Sequence, residues 1–371
     1  MGTIFDYLEW RGDLSFEQAP LNAVDNLILS QISYLPFDGI IPGPEERNVI
    51  SLAEAAAAVA AFIKADPKKA KQRLTCKEDP QLLETLAASP RYRDLGLAAY
   101  VNVIDISEEK QFAAVTVIIS RRETFISFRG TDNTLVGWKE DFNMSFSPSI
   151  PAQLEAVAYL EKTAKYRRGS LWLGGHSKGG NLAVYAASFC KRKVQRRVAG
   201  IFSNDGPGFS RETLADKGYQ AVRDKVQTFV PQSSVIGMLF EHEDDYTVVK
   251  SSQTSLMQHE IYSWEVSGGD VVRLDTVTQE SRFIDRTIKE WAGGLDPVQR
   301  RRFIDAVFEI LSSTEAKSLP ELTENWFKNT GVMIQSFSRA DRLTQELITK
   351  TITALFRAAK NNLPALLKRS G

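Results

Sequence analysis

A serine flanked by glycines carries the strongest chemical signal in this sequence. Residues 171–180 read LWLGGHSKGG, in which an apolar stretch leads into a G-x-S-x-G motif centred on Ser177, and a helical stretch begins near Asn181. A strand, turn and helix of this kind hold the serine hydroxyl above the edge of a sheet, and the glycines let strand and helix approach closely. The motif therefore predicts that Ser177 is a nucleophile in acyl transfer.

A serine hydroxyl becomes a nucleophile when a base removes its proton, and the sequence contains three histidines that could do so. His176 belongs to the motif itself, and we interpret it as a packing residue that points away from the serine. His242 lies in the acidic run 241–245, which is typical of a solvated loop. His259 comes just before a β-rich stretch late in the chain, so we predict that it is the general base.

The acid that orients the imidazole has more than one candidate. Asp205 lies in the stretch SNDGPGF, directly after the strand that follows the motif helix. The order Ser177, Asp205, His259 is the nucleophile, acid, base order of α/β-hydrolases. N-D-G-P is also favourable turn chemistry, which is the structural alternative for Asp205. We predict Asp205, with Ser234 as the alternative hydrogen-bonding partner of the imidazole and the acids of 241–245 after it.

A second motif lies about fifty residues before the serine. Residues 128–132 read FRGTD, and Trp138 and Asp141 follow in a W-x-x-D pattern. Together with G-H-S-x-G, these motifs resemble the class 3 (fungal-type) lipases and, more closely, an uncharacterised bacterial lipase-like family related to them. The resemblance covers roughly residues 20–265. It implies an α/β-hydrolase fold and an oxyanion hole formed by Thr131 and the backbone amide of Lys178.

One stretch departs from the lipase pattern. Class 3 lipases carry their acid in an N-D-x-V-P-like segment, whereas the corresponding residues 229–236 contain no carboxylate. Pancreatic-type lipases place an acid in a context similar to that of Asp205. The identity of the acid therefore stays open at this stage.

Hydrophobic patterning indicates the elements that position these residues. Three β-rich runs separated by polar turns precede alternating helices and strands, which predicts an α/β fold with a mixed, mostly parallel sheet. The β-rich runs are 98–106, 112–120 and 124–128, and the alternating elements are 153–165, 171–174, 181–192, 198–203 and 226–230. Helices are predicted at 22–34 and 51–65 before the sheet, and at 296–312, 319–329 and 338–368 after it. We therefore expect an α/β-hydrolase domain over 1–280 and a C-terminal helical extension over 281–371.

Composition limits the classes of partner. Forty-six Lys and Arg balance forty-six Asp and Glu, so no overall field attracts nucleic acid. No apolar stretch reaches the ~18 residues of a membrane span, and the N-terminus lacks a secretory signal. Cys76 and Cys190 have no metal-ligand spacing. We expect a cytoplasmic enzyme without metal or organic cofactor, and the sequence does not indicate its oligomeric state.

These residues predict a carboxylic ester hydrolase, an esterase or lipase acting on small or single-chain acyl substrates. Two other classes fit the same fold. One is an α/β-hydrolase-fold protein with weak catalysis that serves in binding or scaffolding, and the other is a thioesterase or peptidase. Reaction with a fluorophosphonate separates the first from an active serine hydrolase, and a screen of acyl-CoA and peptide substrates separates the second.

Overall fold

The computed structural model describes residues 2–132, 134–240, 245–314, 316, 318, 321–322 and 326–367. The strands are β1 Ile50–Ser51, β2 Gly96–Asp105, β3 Lys110–Ile118, β4 Glu123–Phe128, β5 Ser170–His176, β6 Val198–Asn204, β7 Val226–Pro231, β8 Tyr246–Val249, β9 Val266–Ser267, β10 Asp270–Val271 and β11 Arg273–Leu274. The helices are α1 Ile4–Arg11, α2 Ala23–Ile32, α3 Leu52–Ala65, α4 Pro67–Arg73, α5 Asp79–Ala88, α6 Leu135–Asn143, α7 Pro151–Tyr166, α8 Lys178–Phe189, α9 Arg192–Gln195, α10 Arg211–Ala215, α11 Lys217–Gln220, α12 Gln279–Gly293, α13 Pro297–Ser312, α14 Trp326–Arg339 and α15 Arg342–Leu367.

The described strands form one large sheet and one small one. The large sheet has nine strands in the order β1-β2-β3-β4-β5-β6-β7-β8-β11, and β9 pairs with β10. Strands β4 to β8 run parallel, whereas the pairs β1–β2, β3–β4 and β8–β11 are antiparallel. A mixed, mostly parallel sheet with helices between its strands is the α/β-hydrolase fold, as the sequence predicted.

The register of the central strands aligns the ends of β5 and β6. His176 is level with Asn204, so Ser177 and Asp205 each follow directly after the end of a neighbouring parallel strand. Side chains of β5 such as Leu173 are buried, because a parallel strand covered by helices has no face left for water. The carboxyl edge of the sheet therefore brings the two positions into adjacent loops.

An N-terminal helix is fixed to this core by a buried ion pair. The side chain of Asn22 accepts hydrogen bonds from the first-turn amides of α2. Asp25 in α2 lies 2.6 Å from the guanidinium of Arg91, and both side chains are almost fully buried. Removal of one partner of such a pair costs about 3–5 kcal/mol, because the other charge stays buried without compensation. The pair holds α2, which precedes Tyr34, in a defined position.

The chain divides into two compact units. The first comprises residues 1–103, 112–130 and 152–277, and the second comprises 104–111, 131–151 and 278–371. The C-terminal helices thus cluster with two earlier segments that the predicted division at residue 280 assigned to the hydrolase domain. In the described residues, no helix has the length and apolar composition needed to cross a bilayer.

The second unit has an apolar core of its own. Leu135, Ile304, Phe308 and Leu322 are buried together. Helix α12 packs along α15, and the indole of Trp291 donates to the carbonyl of Thr351 at 3.0 Å.

The C-terminal helix boundaries differ from the predicted ones. The segment predicted as one helix from residue 338 is interrupted, because Asp341 accepts hydrogen bonds from the amides of Leu343 and Thr344 and so starts a new helix at Arg342. Helix α14 includes residues 330–337, where no helix is predicted from the sequence. Part of the predicted helix 319–329 lies outside the described residues.

Candidate active site

Ser177 lies in a strained turn between β5 and α8. Its backbone has φ 58° and ψ −134°, a conformation that residues with a side chain rarely adopt. The turn is held by the amide of Ser177, which donates to the carbonyl of Asn204 at 2.9 Å, and by the amide of Gly180, which donates to the carbonyl of Ser177 at 2.9 Å. Ser177 is partly exposed while its neighbours in β5 and α8 are buried. Part of Ser177 therefore reaches the protein surface at this turn.

Glycines allow the chain to close around this elbow. A side chain at Gly175 would overlap the backbone of Gly179, so strand and helix meet without a Cβ between them. A Cβ at Gly130 would lie 2.6 Å from the carbonyl oxygen of His176 and 2.9 Å from the Cβ of Ser177. Gly130, the end of residues 128–130 (the FRG segment), thus lies directly against the serine turn.

Asp205 and His259 form a close pair. Nδ1 of His259 lies 2.6 Å from Oδ2 of Asp205, although the residues are 54 positions apart. The carboxylate is 1% exposed and the imidazole 24% exposed. Because a carboxylate only accepts, Nδ1 carries the proton, and Nε2 is the basic nitrogen of the neutral ring. With Nδ1 protonated, the neutral ring has the tautomer that a general base uses.

The other oxygen of Asp205 is also fixed. Oδ1 accepts from the hydroxyl of Ser234 at 2.5 Å and from the amide of Gly237 at 3.1 Å. The backbone of Asp205 has φ 51°, and its amide donates to the carbonyl of Phe229 at 2.7 Å. Ser234, the alternative to Asp205 in the sequence, therefore contacts the carboxylate and helps to orient it. His242 and residues 241–244 lie outside the described residues.

His176 contacts the loop that carries His259. Its Nε2 lies 2.7 Å from the carbonyl oxygen of His259, and the two rings have centroids 4.3 Å apart. This contact brings the residue next to Ser177 against the backbone and ring of His259. His176 is buried, as the packing interpretation expected, but it also makes polar contacts that packing alone does not require.

Tyr34 joins the same group of residues. Its hydroxyl accepts from the amide of Gly130 at 2.9 Å and lies 3.1 Å from the carbonyl oxygen and 3.3 Å from Nδ1 of His176. Burial raises the pKa of Tyr34 above its usual value, so the hydroxyl stays protonated. One phenol therefore links the FRG segment to the serine turn.

Burial also keeps His176 neutral. Desolvation lowers the pKa of His176 well below its ordinary value of 6.5, and the nearby His259 acts in the same direction. A neutral ring has one N–H, and Nε2–H donates to the carbonyl of His259, so Nδ1 is the acceptor. The tautomer of His176 thus follows from the contact with the His259 loop.

The two predicted oxyanion donors occupy different settings. Lys178 is the first residue of α8, so its amide belongs to the helix start where amides lack helical acceptors; its side chain is buried. Thr131 belongs to the second unit, where its hydroxyl donates to Asp141.

Two supporting residues carried little signal in the sequence. Tyr34 is one tyrosine among ten, with no motif around it. Gly237 contributes only an amide, which any non-proline residue has. Both contribute through tertiary contacts, which a local sequence pattern does not indicate. The one sequence signal for Gly237 is that it lies three residues after Ser234, which was already a candidate.

A family model described as Mbeg1-like matches residues 86–309, which is more than half of the 371 residues. The comparison with curated proteins gives no match.

Solved structures of lipases resemble parts of the chain at low identity. The Rhizomucor miehei lipase propeptide complex is 17% identical with a TM-score of 0.34, over 52% of this chain and 66% of that one. M37 lipase is 14% identical with a TM-score of 0.34, over 58% and 69%. The lipase from Rhizopus microsporus var. chinensis is 12% identical with a TM-score of 0.33, over 64% and 85%. The chain thus covers just under two thirds of the Rhizomucor lipase.

Proposed function

The chain belongs to the Mbeg1-like family, and from that premise we propose that it is a serine hydrolase that cleaves carboxylic esters. The observation that carries the proposal is the buried carboxylate of Asp205 at 2.6 Å from Nδ1 of His259. The same imidazole lies against His176, the residue next to the strained Ser177. The residues that we propose as nucleophile, base and acid thus lie in loops at one edge of the sheet, which supports the proposal.

In the proposed reaction, Ser177 Oγ attacks the carbonyl carbon of the ester while Nε2 of His259 takes the hydroxyl proton. Asp205 stabilises the imidazolium that results. The tetrahedral intermediate then expels the alcohol, which receives the proton from His259. A water molecule attacks the acyl-enzyme in the same way, with His259 again as the base, and Ser177 regains its proton as the carboxylic acid leaves.

The developing oxyanion needs donors that are fixed in advance. We assign this role to the backbone amide of Lys178 and, following the resemblance to class 3 lipases, to Thr131. An amide at the start of α8 suits the first position because it also lies at the positive end of a helix. Each such donor contributes about 3–4 kcal/mol to the transition state.

Labelling with a fluorophosphonate probe tests the nucleophile. The wild-type chain should react with the probe and hydrolyse short p-nitrophenyl esters, and Ser177→Ala should lose both activities. Ser252→Ala, which removes an exposed serine elsewhere in the first unit, is the matched control and should keep both. Labelling that persists in Ser177→Ala would refute the nucleophile, and a folded wild-type chain that fails to react would favour a binding or scaffolding protein.

A further inference from the structure

Helix α15 presents three kinds of surface along its 26 residues. One face is packed: Ile348, Thr351 and Ala358 are buried in the second unit. The side-chain amides of Asn361 and Asn362 both donate to the carboxylate of Glu290 in α12. The packed face therefore fixes the orientation of the helix within its unit.

An exposed row of apolar side chains borders the packed face. Ile352, Phe356 and Leu363 are 43%, 72% and 43% exposed. At 100° per residue they lie within about 40° of one another around the helix. Leu154 in α7, by contrast, has no other large exposed apolar side chain within a turn of its helix and needs no explanation. Three in a row on one helix form an apolar strip, here called the α15 row.

The charged residues that α15 itself supplies beside the α15 row are cations. From Leu347 to the last residue, the sequence has Lys350, Arg357, Lys360, Lys368 and Arg369 and no Asp or Glu. Lys360 and Arg357 lie on the side of the row away from the packed face, within about 120° of its centre. No ion pair in the described part of the chain involves Lys350, Arg357 or Lys360, whereas Arg342 at the helix start pairs with Glu346.

We propose that α15 binds the surface of an anionic lipid membrane. The helix would lie in the plane of the interface with the α15 row among the acyl chains and the cations against the phosphate groups, as amphipathic basic helices do. A second copy of the chain is a poorer occupant, because a symmetric contact through this face would oppose cations to cations. The proposal does not depend on the chemistry of Ser177.

Sedimentation with vesicles tests this proposal on the full chain. Vesicles of phosphatidylcholine alone are compared with vesicles that contain phosphatidylglycerol as well, and only the anionic ones should bind. Arg357→Glu with Lys360→Glu reverses two charges and should weaken binding by on the order of 100-fold or more. Phe356→Ser should weaken it at least tenfold. Because the readout requires no catalysis, Ser177→Ala should bind as the wild type does.

Matched controls separate the site from general effects. Lys68→Glu with Lys69→Glu makes the same charge change on exposed positions of α4, and Leu154→Ser removes an exposed apolar side chain of α7. Both should bind anionic vesicles as the wild type does. The proposal is overturned if the wild type ignores anionic vesicles, if the controls lose as much binding, or if light scattering shows a dimer that Phe356→Ser dissociates.

Discussion

The sheet edge that carries Asp205 and helix α15 differ in which side chains they bury. At the sheet edge, polar groups are buried and fixed by several partners, as Oδ1 and Oδ2 of Asp205 illustrate. On α15, large apolar side chains such as Phe356 remain exposed, and Arg357 and Lys360 form no ion pair with the described residues. The first arrangement costs folding free energy unless every polar group is satisfied, and it yields fixed geometry. The second costs little in folding and leaves a surface available for binding.

Substitution of the acid should give the largest effect. Asp205→Asn keeps the size of the side chain but removes the charge that fixes the tautomer of His259, so kcat should fall by about 10⁴-fold. Ser234→Ala removes one of two hydrogen bonds to Oδ1 and should lower kcat by about tenfold. Steady-state kinetics on a p-nitrophenyl ester measures both. Equal losses in the two variants would contradict the assignment of Asp205 as the acid.

The difference between buried and exposed side chains can also be measured with two phenylalanines of the second unit. Phe308 is buried in the core of that unit, and Phe308→Ala should lower the free energy of unfolding by about 3–4 kcal/mol. Phe356 is 72% exposed, and Phe356→Ala should change the free energy of unfolding by less than about 0.5 kcal/mol. Urea denaturation measures both variants. A large loss from Phe356→Ala would mean that the α15 row stabilises the fold rather than a complex.

Substitution of two buried tyrosines distinguishes an effect on the geometry of the site from an effect on stability alone. Tyr34→Phe deprives the amide of Gly130 of its acceptor, and Tyr159→Phe removes a buried hydroxyl that bonds Thr116 and the carbonyl of Ala99. Each should cost about 1–3 kcal/mol of unfolding free energy. Only Tyr34→Phe should also lower kcat, by about tenfold, because it loosens the serine turn. A similar kcat in the two variants would show that Tyr34 is merely structural.

The pH dependence of stability should show the smallest effect. The pKa of His176 is held well below 6.5 in the folded protein, so below pH ~6.5 the unfolded chain binds a proton that the folded chain does not. The contribution of this residue is present above that pH and is lost as the pH falls, by about 1.4 kcal/mol per unit. Urea denaturation between pH 7.5 and 5.5 measures the slope, which should be shallower in His176→Asn. Identical slopes would contradict a neutral, buried His176.

Local sequence patterns predicted the central elements well. The strands around 124–128 and 198–203 and the turn at Ser177 were predicted because apolar runs and glycine spacing reflect short-range constraints. The contact between Asp205 and His259 joins residues 54 apart, and the sequence could only rank the candidates by chain order. The role of Tyr34 was missed because nothing within a few residues of it indicates its partners. The clustering of 104–111 and 131–151 with the C-terminal helices depends on tertiary packing, which no local sequence pattern indicates.

The positive φ angles of Ser177 and Asp205 have a consequence for stability. Each non-glycine residue held there costs about 1–3 kcal/mol, a strain that a glycine would not suffer. Glycine at position 177 would relieve this strain but, under the proposed function, would also remove the nucleophile. At position 205 the strain is offset by the hydrogen bonds of the carboxylate to Ser234 and Gly237, so glycine there would not be a simple gain in stability.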